Sequence, residues 1–229
     1  MRIHASAAAL GLSAITTLAL TGCSTSTGPA DTSRPAAAGE SGSSATEALP
    51  LSSADLSHRL LAADELGQGY TRKATTVPSR DDVTVIGCPA LEQLGGDAAT
   101  GATLDLPRRA KVSFNYAGGN GSEVSEELYS DTPAKLSTSI GQIIDAMTSC
   151  PTYQVSMGST LIDMGTQEAA PPQLGDEAWS LMLTFSGAGQ RSVVKQTAIR
   201  SGTVLVIVAG SPALVDAHVE RALAKAEPS

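Results

Sequence analysis

The chain has 229 residues, of which 41% are hydrophobic and 17% are charged, enough for one domain with a buried core. Its formal charge of −8 argues against a nucleic-acid binder, which needs a basic surface along the phosphates. Three histidines provide few metal ligands and few bases that titrate near neutral pH. We therefore expect no catalytic residue, no cofactor and no metal site.

Residues 1–22 have the order of a secretory signal, with a positive charge at Arg2, an uncharged apolar run and a small-residue end. The run is shorter than the roughly 20 residues that span a bilayer. It ends at Leu20-Thr21-Gly22-Cys23, which resembles a bacterial lipobox. The resemblance implies cleavage before Cys23 and a diacylglycerol on its thiol, and several acyl chains hold a protein stably on a membrane. A plain signal peptide is the alternative.

Residues 23–50 are predicted to be the lipidated cysteine and a flexible tether. Residues 24–50 contain no aromatic side chain and a single leucine, so they bury too little apolar surface to offset the entropy lost on ordering. All seven aromatic side chains fall in residues 51–229, predicted to be a single exported domain. The expected location is the outer face of the bacterial cytoplasmic membrane, which the protein contacts through the lipid on Cys23.

The first predicted element of the domain is a helical turn over residues 60–66, ended by glycines, with an extended stretch from Tyr70 to Val77 after it. Residues 109–117 alternate polar and apolar side chains as a half-buried strand does, with Val112, Phe114 and Tyr116 on one face. Gly-Gly-Asn-Gly at 118–121 supplies the positive φ angles of a hairpin. Residues 122–130 are predicted to be the returning strand.

A helix is predicted to begin at Pro133, because proline is favoured in the first turn and Asp131 or Thr132 can cap it. Its apolar stripe at three- and four-residue spacing is Leu136, Ile140, Ile143, Ile144 and Met147. Strands are predicted over 179–185, 193–200 and 204–209. The last of these is apolar throughout, as in a strand buried on both faces. A final helix follows Ser211-Pro212.

Hairpins followed by helices occur twice, which predicts an α+β fold: a mainly antiparallel twisted sheet with two long helices packed against it. With Cys23 assigned to lipid, Cys88 and Cys150 remain, and two thiols outside the cytoplasm usually pair. This disulfide would tie the turn at 89–94 to the end of the first long helix. A redox-active pair is the alternative, disfavoured because no Cys-x-x-Cys spacing is present.

Five short motifs accompany the lipobox and tether. They are Leu-Leu-x-x-x-x-Leu-Gly-x-Gly-Tyr (60–70), Cys88-Pro-x-Leu, Cys150-Pro, Leu174-Gly-Asp-Glu-Ala-Trp179 and Arg200-Ser-Gly-x-Val-Leu-Val. Over most of residues 55–226 the chain resembles the extracellular sensor domains of PknH-type actinobacterial kinases and their related free lipoproteins. The resemblance implies an exported module with a cleft that binds a ligand. Better-known members have two disulfides, whereas this chain can form one. The sequence contains neither a kinase domain nor an apolar run long enough to span a membrane, so we expect a free lipoprotein.

Catalytic patterns are sparse. Ser192-Val-Val-Lys195 has the spacing of penicillin-interacting serine enzymes, but a strand directs residues three apart to opposite faces. His58 and His218 are interpreted as helix-surface or boundary residues. Asp163, Asp176 and Glu177 could hold a glycosidase pair. We favour their interpretation as turn and surface residues.

The leading hypothesis is a lipid-anchored, non-catalytic ligand-binding or sensor-like module. Its expected partner is a small-molecule or cell-wall ligand, with an envelope protein as a second candidate. The candidate ligand-binding residues are Trp179, Asp176, Tyr116 and Arg109, although Trp179 also fits a core position. The alternatives are a cell-envelope hydrolase that uses carboxylates and a lipid carrier with an apolar cavity.

Overall fold

The structure, a computed structural model, describes residues 49–74, 83–95, 105–119, 121–187 and 189–227. The predicted signal peptide, Cys23 and almost all of the predicted tether lie outside the described residues. No helix within the described ranges combines the length and the apolar character that a membrane crossing needs.

A single antiparallel sheet organises the described residues and contains nine strands there. The strands are β1 (Tyr70–Arg72), β2 (Val83–Ile86), β3 (Arg109–Tyr116), β4 (Glu123–Ser130), β5 (Thr152–Met157), β6 (Thr160–Glu168), β7 (Glu177–Gly187), β8 (Gln190–Ser201) and β9 (Val204–Gly210). Their spatial order is β1-β3-β4-β9-β8-β7-β6-β5-β2, with every neighbouring pair antiparallel. The predicted antiparallel sheet is confirmed.

Five helices accompany the sheet in the described part of the chain. They are α1 (Ser53–Arg59), α2 (Ala63–Leu66), α3 (Pro89–Leu94), α4 (Pro133–Ser149) and α5 (Pro212–Ala226). The hydroxyl of Thr132 accepts a hydrogen bond from Lys135 N at 3.4 Å, so Thr132 is the cap of α4. Of these helices only α1, α4 and α5 have seven residues or more, so two long helices describe only part of the helical structure.

The two faces of the sheet are covered by different helices. Successive side chains of β9 alternate between faces, so Leu205 and Ile207 join one core while Val204, Val206 and Val208 join the other. The first core includes the apolar stripe of α4 together with α3, and the second includes α1, α2 and α5. We call these the α4 face and the α5 face. The prediction that β9 is buried on both faces is confirmed.

A disulfide joins Cys88 and Cys150, whose Cα atoms are 5.7 Å apart. Cys88 is the N-cap of α3 and Cys150 the C-cap of α4, so the bond connects the start of one helix to the end of the other on the α4 face. The predicted pairing and its placement are confirmed.

The sequence analysis missed the hairpin formed by β5 and β6, and it missed β2. Most side chains of β6 are exposed or half-buried, so the strand lacks the alternation that marks a half-buried strand. The segment near residue 60 also differs: two short helices, α1 and α2, replace the single turn, and β1 ends at Arg72. The predicted continuation to Val77 lies outside the described residues.

Candidate functional site

The four predicted ligand-binding residues do not meet at one place. Arg109 and Tyr116 are the first and last residues of β3 and so lie at opposite ends of that strand. Trp179 lies on β7 opposite Ala198, where it is half-buried and packs against the core of the α4 face. Asp176 precedes β7 and is exposed. The sequence therefore identified individual side chains that the fold does not bring together.

Asp176 and Glu177 are engaged by the hairpin between β8 and β9. Arg200 Nη1 lies 2.8 Å from Asp176 Oδ2, and Arg200 Nε lies 3.1 Å from Glu177 Oε2. The N–H of Gly202 also donates to Asp176 Oδ2 at 2.8 Å. The Leu174–Trp179 motif thus holds the turn of the neighbouring hairpin in place.

These contacts also argue against a glycosidase role for Asp176 and Glu177. The Gly202 N–H and the Arg200 guanidinium hold the pKa of Asp176 below its ordinary value. Hydrogen bonds from Arg200 and Ser137 likewise lower the pKa of Glu177. A glycosidase general acid requires the opposite shift. Asp163 lies on the α5 face of β6, opposite Ser186, and so does not face Glu177.

Tyr116 belongs to an aromatic cluster at the β1 edge of the sheet. Its ring centroid lies 4.7 Å from that of Tyr70, and the Tyr70 hydroxyl is 2.7 Å from His218 Nε2. His218 is buried, contrary to its interpretation as a surface or boundary residue, because α5 packs this side against the sheet. Its Nδ1 has no partner among the described residues, and burial lowers the pKa of the imidazole. His58 is exposed, as expected.

The Ser192 and Lys195 pair has the geometry that the strand context predicts. Both lie on β8, where residues three apart point to opposite faces of the sheet. Lys195 Nζ forms an ion pair with Asp216 Oδ1 at 2.5 Å. The pair therefore does not form the Ser-x-x-Lys arrangement of a serine enzyme.

A groove opens on the α4 face where α4 leaves part of the sheet uncovered. Its volume is about 680 Å³, and it runs over strands β3, β4, β9, β8 and β7. The apolar floor consists of Leu183, Phe185, Val194, Ile207 and Ala209. Ala209 lies near the centre, opposite Ser125 on one side and Gln196 on the other, and its small side chain leaves room for a ligand.

One wall of the groove carries a chain of charged and polar groups. Lys111 Nζ lies 2.5 Å from Glu127 Oε1, and the Tyr129 hydroxyl donates to Glu127 Oε2 at 2.5 Å. Burial and the neighbouring Glu127 carboxylate raise the pKa of Tyr129, so its phenol stays neutral and acts as a donor. The Ser125 hydroxyl donates to Ala209 O at 3.2 Å. Glu127 is thus held in a fixed position at the groove.

Polar side chains with unused hydrogen-bonding capacity lie on β8, on either side of the floor residue Val194. Gln196 and Ser192 form no side-chain hydrogen bond with any described residue, although both line the groove. Arg191 is exposed at the same end and forms no ion pair with a described residue. Sequence reasoning missed this site. One pattern in the sequence could have indicated it. Ser125 and Glu127 occupy alternate positions of β4, a strand that is otherwise rich in buried residues.

A buried carboxyl lies on the other side of the same strand. Glu126 points to the α5 face, where only 1% of it is exposed. Its Oε2 accepts a hydrogen bond from Leu61 N, and its Oε1 has no partner among the described residues. Burial raises the pKa of Glu126 to about 7. It belongs to the core and does not line the groove.

The comparisons with known proteins bear on the fold. No protein-family model and no curated protein matches this chain. Among solved structures, the extracellular domain of PknH from Mycobacterium tuberculosis is similar, with a TM-score of 0.56, 16% sequence identity, and coverage of 76% of this chain and 98% of that domain. At this identity the likeness is one of fold. The PknH-like fold expected from the motifs is confirmed, whereas membership of that family stays a prediction.

Proposed function

We propose that this protein is a non-catalytic, sensor-like module that binds a ligand in the groove on the α4 face. The observation that carries the proposal is the groove itself: an apolar floor flanked by polar side chains, of which Gln196 and Ser192 have unused hydrogen-bonding capacity. Ligand sites in proteins commonly combine an apolar lining with a few such polar groups. The fold, similar to that of a kinase extracellular domain, agrees with a binding role.

Neither alternative function is favoured by the contacts. A hydrolase would need carboxylates that are free to act as acid and base, whereas Asp176 and Glu177 are bonded to Arg200. A lipid carrier would need an apolar enclosure for acyl chains. The groove instead exposes the Lys111–Glu127 ion pair along one wall.

Filling the groove tests the binding proposal. Ala209→Leu places an isobutyl group at the centre of the groove. Native mass spectrometry of the full chain mixed with a fractionated cell-envelope extract should show an adduct for the wild type, and the variant should lose it. Leu161→Ala, at an exposed position of β6, is the control. If the wild type and Ala209→Leu carry equal amounts of the adduct, the groove is not the binding site.

The lipid anchor on Cys23 is a second part of the proposal. It rests on the Leu20–Cys23 sequence and on the uncharged apolar run before it. We expect the chain to incorporate an alkyne-tagged fatty acid and to sediment with membranes on the outer face of the bacterial cytoplasmic membrane. Cys23→Ser should lose the label and Ser24→Ala should keep it. A labelled Cys23→Ser chain, or an unlabelled wild type, contradicts this part.

A further inference from the structure

The carboxylates along the groove already have cationic partners. Glu127 pairs with Lys111 inside the groove, and Glu123 pairs with Lys73 at its rim, where the Nζ to Oε2 distance is 2.6 Å. An ionic ligand would have to separate one of these pairs or bring an uncompensated charge into the groove. Arg191 is the remaining lining cation, and it lies exposed at the end of the groove, where water screens its charge. The charges therefore favour an uncharged ligand.

Apart from Arg191, the groove side chains that are free to bind a ligand are uncharged. The Gln196 carboxamide and the Ser192 hydroxyl each donate and accept hydrogen bonds. Gln196 stands opposite Ala209, and Ser192 stands opposite Phe185, so both adjoin the apolar floor. A ligand that uses both groups needs donors and acceptors of its own next to an apolar surface. Hydroxyl groups on a ring with an apolar face provide this combination.

The position of the groove argues against an extended peptide as the ligand at its centre. An extended peptide usually binds by adding to the edge of a sheet, where backbone groups are unpaired. At the centre of the groove, Gln196 and Ala209 pair with each other, and each also pairs with a further strand on its other side. Their backbone groups are therefore engaged in the sheet, whereas residues 190–194 of β8 pair with β7 alone. Around Gln196 and Ala209, side chains alone are available to a ligand.

We propose that the groove binds an uncharged saccharide. The apolar face of a sugar ring packs on Phe185 and Val194, and its hydroxyl groups bond with Gln196, Ser192 and the exposed Lys111. A volume of about 680 Å³ lies within the range of roughly 300–1,000 Å³ found for small-ligand sites. This inference rests on the proposed function, since it names the ligand class of the same groove.

A printed glycan array tests the ligand class directly. The full chain is applied to uncharged oligosaccharides of several sugar types and to sulfated and uronic-acid-containing glycans on the same slide. We expect binding confined to uncharged glycans. Gln196→Leu should weaken binding to the preferred glycan at least about tenfold by loss of its hydrogen bonds. Gln167→Leu makes the same change at an exposed site on the other face and should bind as the wild type does.

The remaining outcomes separate this inference from the proposed function. Binding to acidic glycans alone, or to none of the array, overturns the saccharide inference. The envelope-extract adduct that Ala209→Leu abolishes would still support ligand binding in the groove. Binding to an uncharged glycan that both Gln196→Leu and Ala209→Leu retain overturns the assignment to this groove. Circular dichroism and thermal melting of each variant show that a loss of binding is not a loss of fold.

Discussion

The carboxyl group of Glu126 accepts a hydrogen bond from the backbone N–H of Leu61, with 2.7 Å between Leu61 N and Glu126 Oε2. The bond joins an interior strand to the segment between α1 and α2. Glu126 also lies between Ser125 and Glu127, whose side chains line the groove on the opposite face of β4. The same short stretch of strand therefore carries a core carboxyl on one face and binding groups on the other.

The wild type should lose stability as pH rises, and Glu126→Gln should abolish that loss. Burial raises the pKa of Glu126 from 4.5 to about 7, so the folded state favours the neutral acid. The wild-type free energy of unfolding should fall as pH rises through that window, by on the order of 3 kcal/mol, because ionisation inside the core is unfavourable. Urea unfolding at about pH 4 and about pH 8 measures the difference.

The glutamine is neutral at both pH values, so the variant should lack this part of the pH dependence. Glu168→Gln, at an exposed position of β6, is the control and should keep the wild-type profile. If Glu126→Gln and the wild type lose equal stability between the two pH values, Glu126 is not the group responsible.

Gly175 should tolerate no side chain. Its φ is +65°, and a Cβ there would lie 2.5 Å from the carbonyl oxygen of Arg200. Gly175→Ala should therefore destabilise the protein by about 3 kcal/mol, since it combines backbone strain with a clash against a sheet carbonyl. Gly141→Ala is the matched control: it lies in α4 with open space at the Cβ position, and should stabilise by about 1 kcal/mol. Equal stability of the two variants would contradict the role of the Leu174–Trp179 motif as a hairpin support.

The disulfide should contribute substantially to stability. Cys88 and Cys150 are separated by 62 positions, and closing a loop of this length in the unfolded chain corresponds to about 4 kcal/mol by the loop-entropy estimate. The double variant Cys88→Ala/Cys150→Ala should unfold at lower urea concentration by a corresponding amount. Reducing agent should shift the wild type in the same direction and leave the double variant unchanged. An unchanged midpoint for the double variant would show that the bond contributes nothing.

Tyr70→Phe should destabilise the aromatic cluster without disturbing its packing. Removing the hydroxyl leaves both ring nitrogens of the buried His218 without a partner among the described residues, at a cost of about 1–2 kcal/mol. Tyr116→Phe is the control, because the Tyr116 hydroxyl bonds to no described residue. Thermal melting compares the two, and equal midpoints would mean that the Tyr70–His218 bond adds no net stability.

The elements with strong local signals were predictable from the sequence. The helix α4 follows from Thr132, Pro133 and its apolar stripe, and β3 follows from alternation over residues 109–116. One usable signal was overlooked: Ser52 and Asp55 form a capping box that marks the start of α1. β6 gave no comparable signal because few of its side chains are buried.

The groove was not predictable in the same way. Residues 111, 127, 196 and 209 come from four strands, and their proximity depends on the strand order rather than on any local pattern. Whether this part of the sheet is open depends on where α4 lies, which is a tertiary property. Asp176 is the opposite case. It lies in a local motif that is visible in the sequence, but the structure pairs it with Arg200 and Gly202 and does not place it in the groove.

The position of β9 in the sheet has a consequence for how the protein matures. This strand, Val204–Gly210, lies between β4 and β8 and is the element that joins the hairpin of β3 and β4 to the consecutive strands β5–β8. During synthesis from the N-terminus, local hairpins can pair as they emerge, but the β4–β9 pairing must wait until residue 210 is available. Until then both halves carry an open strand edge. Completion of the sheet is therefore a late event in the synthesis of the chain.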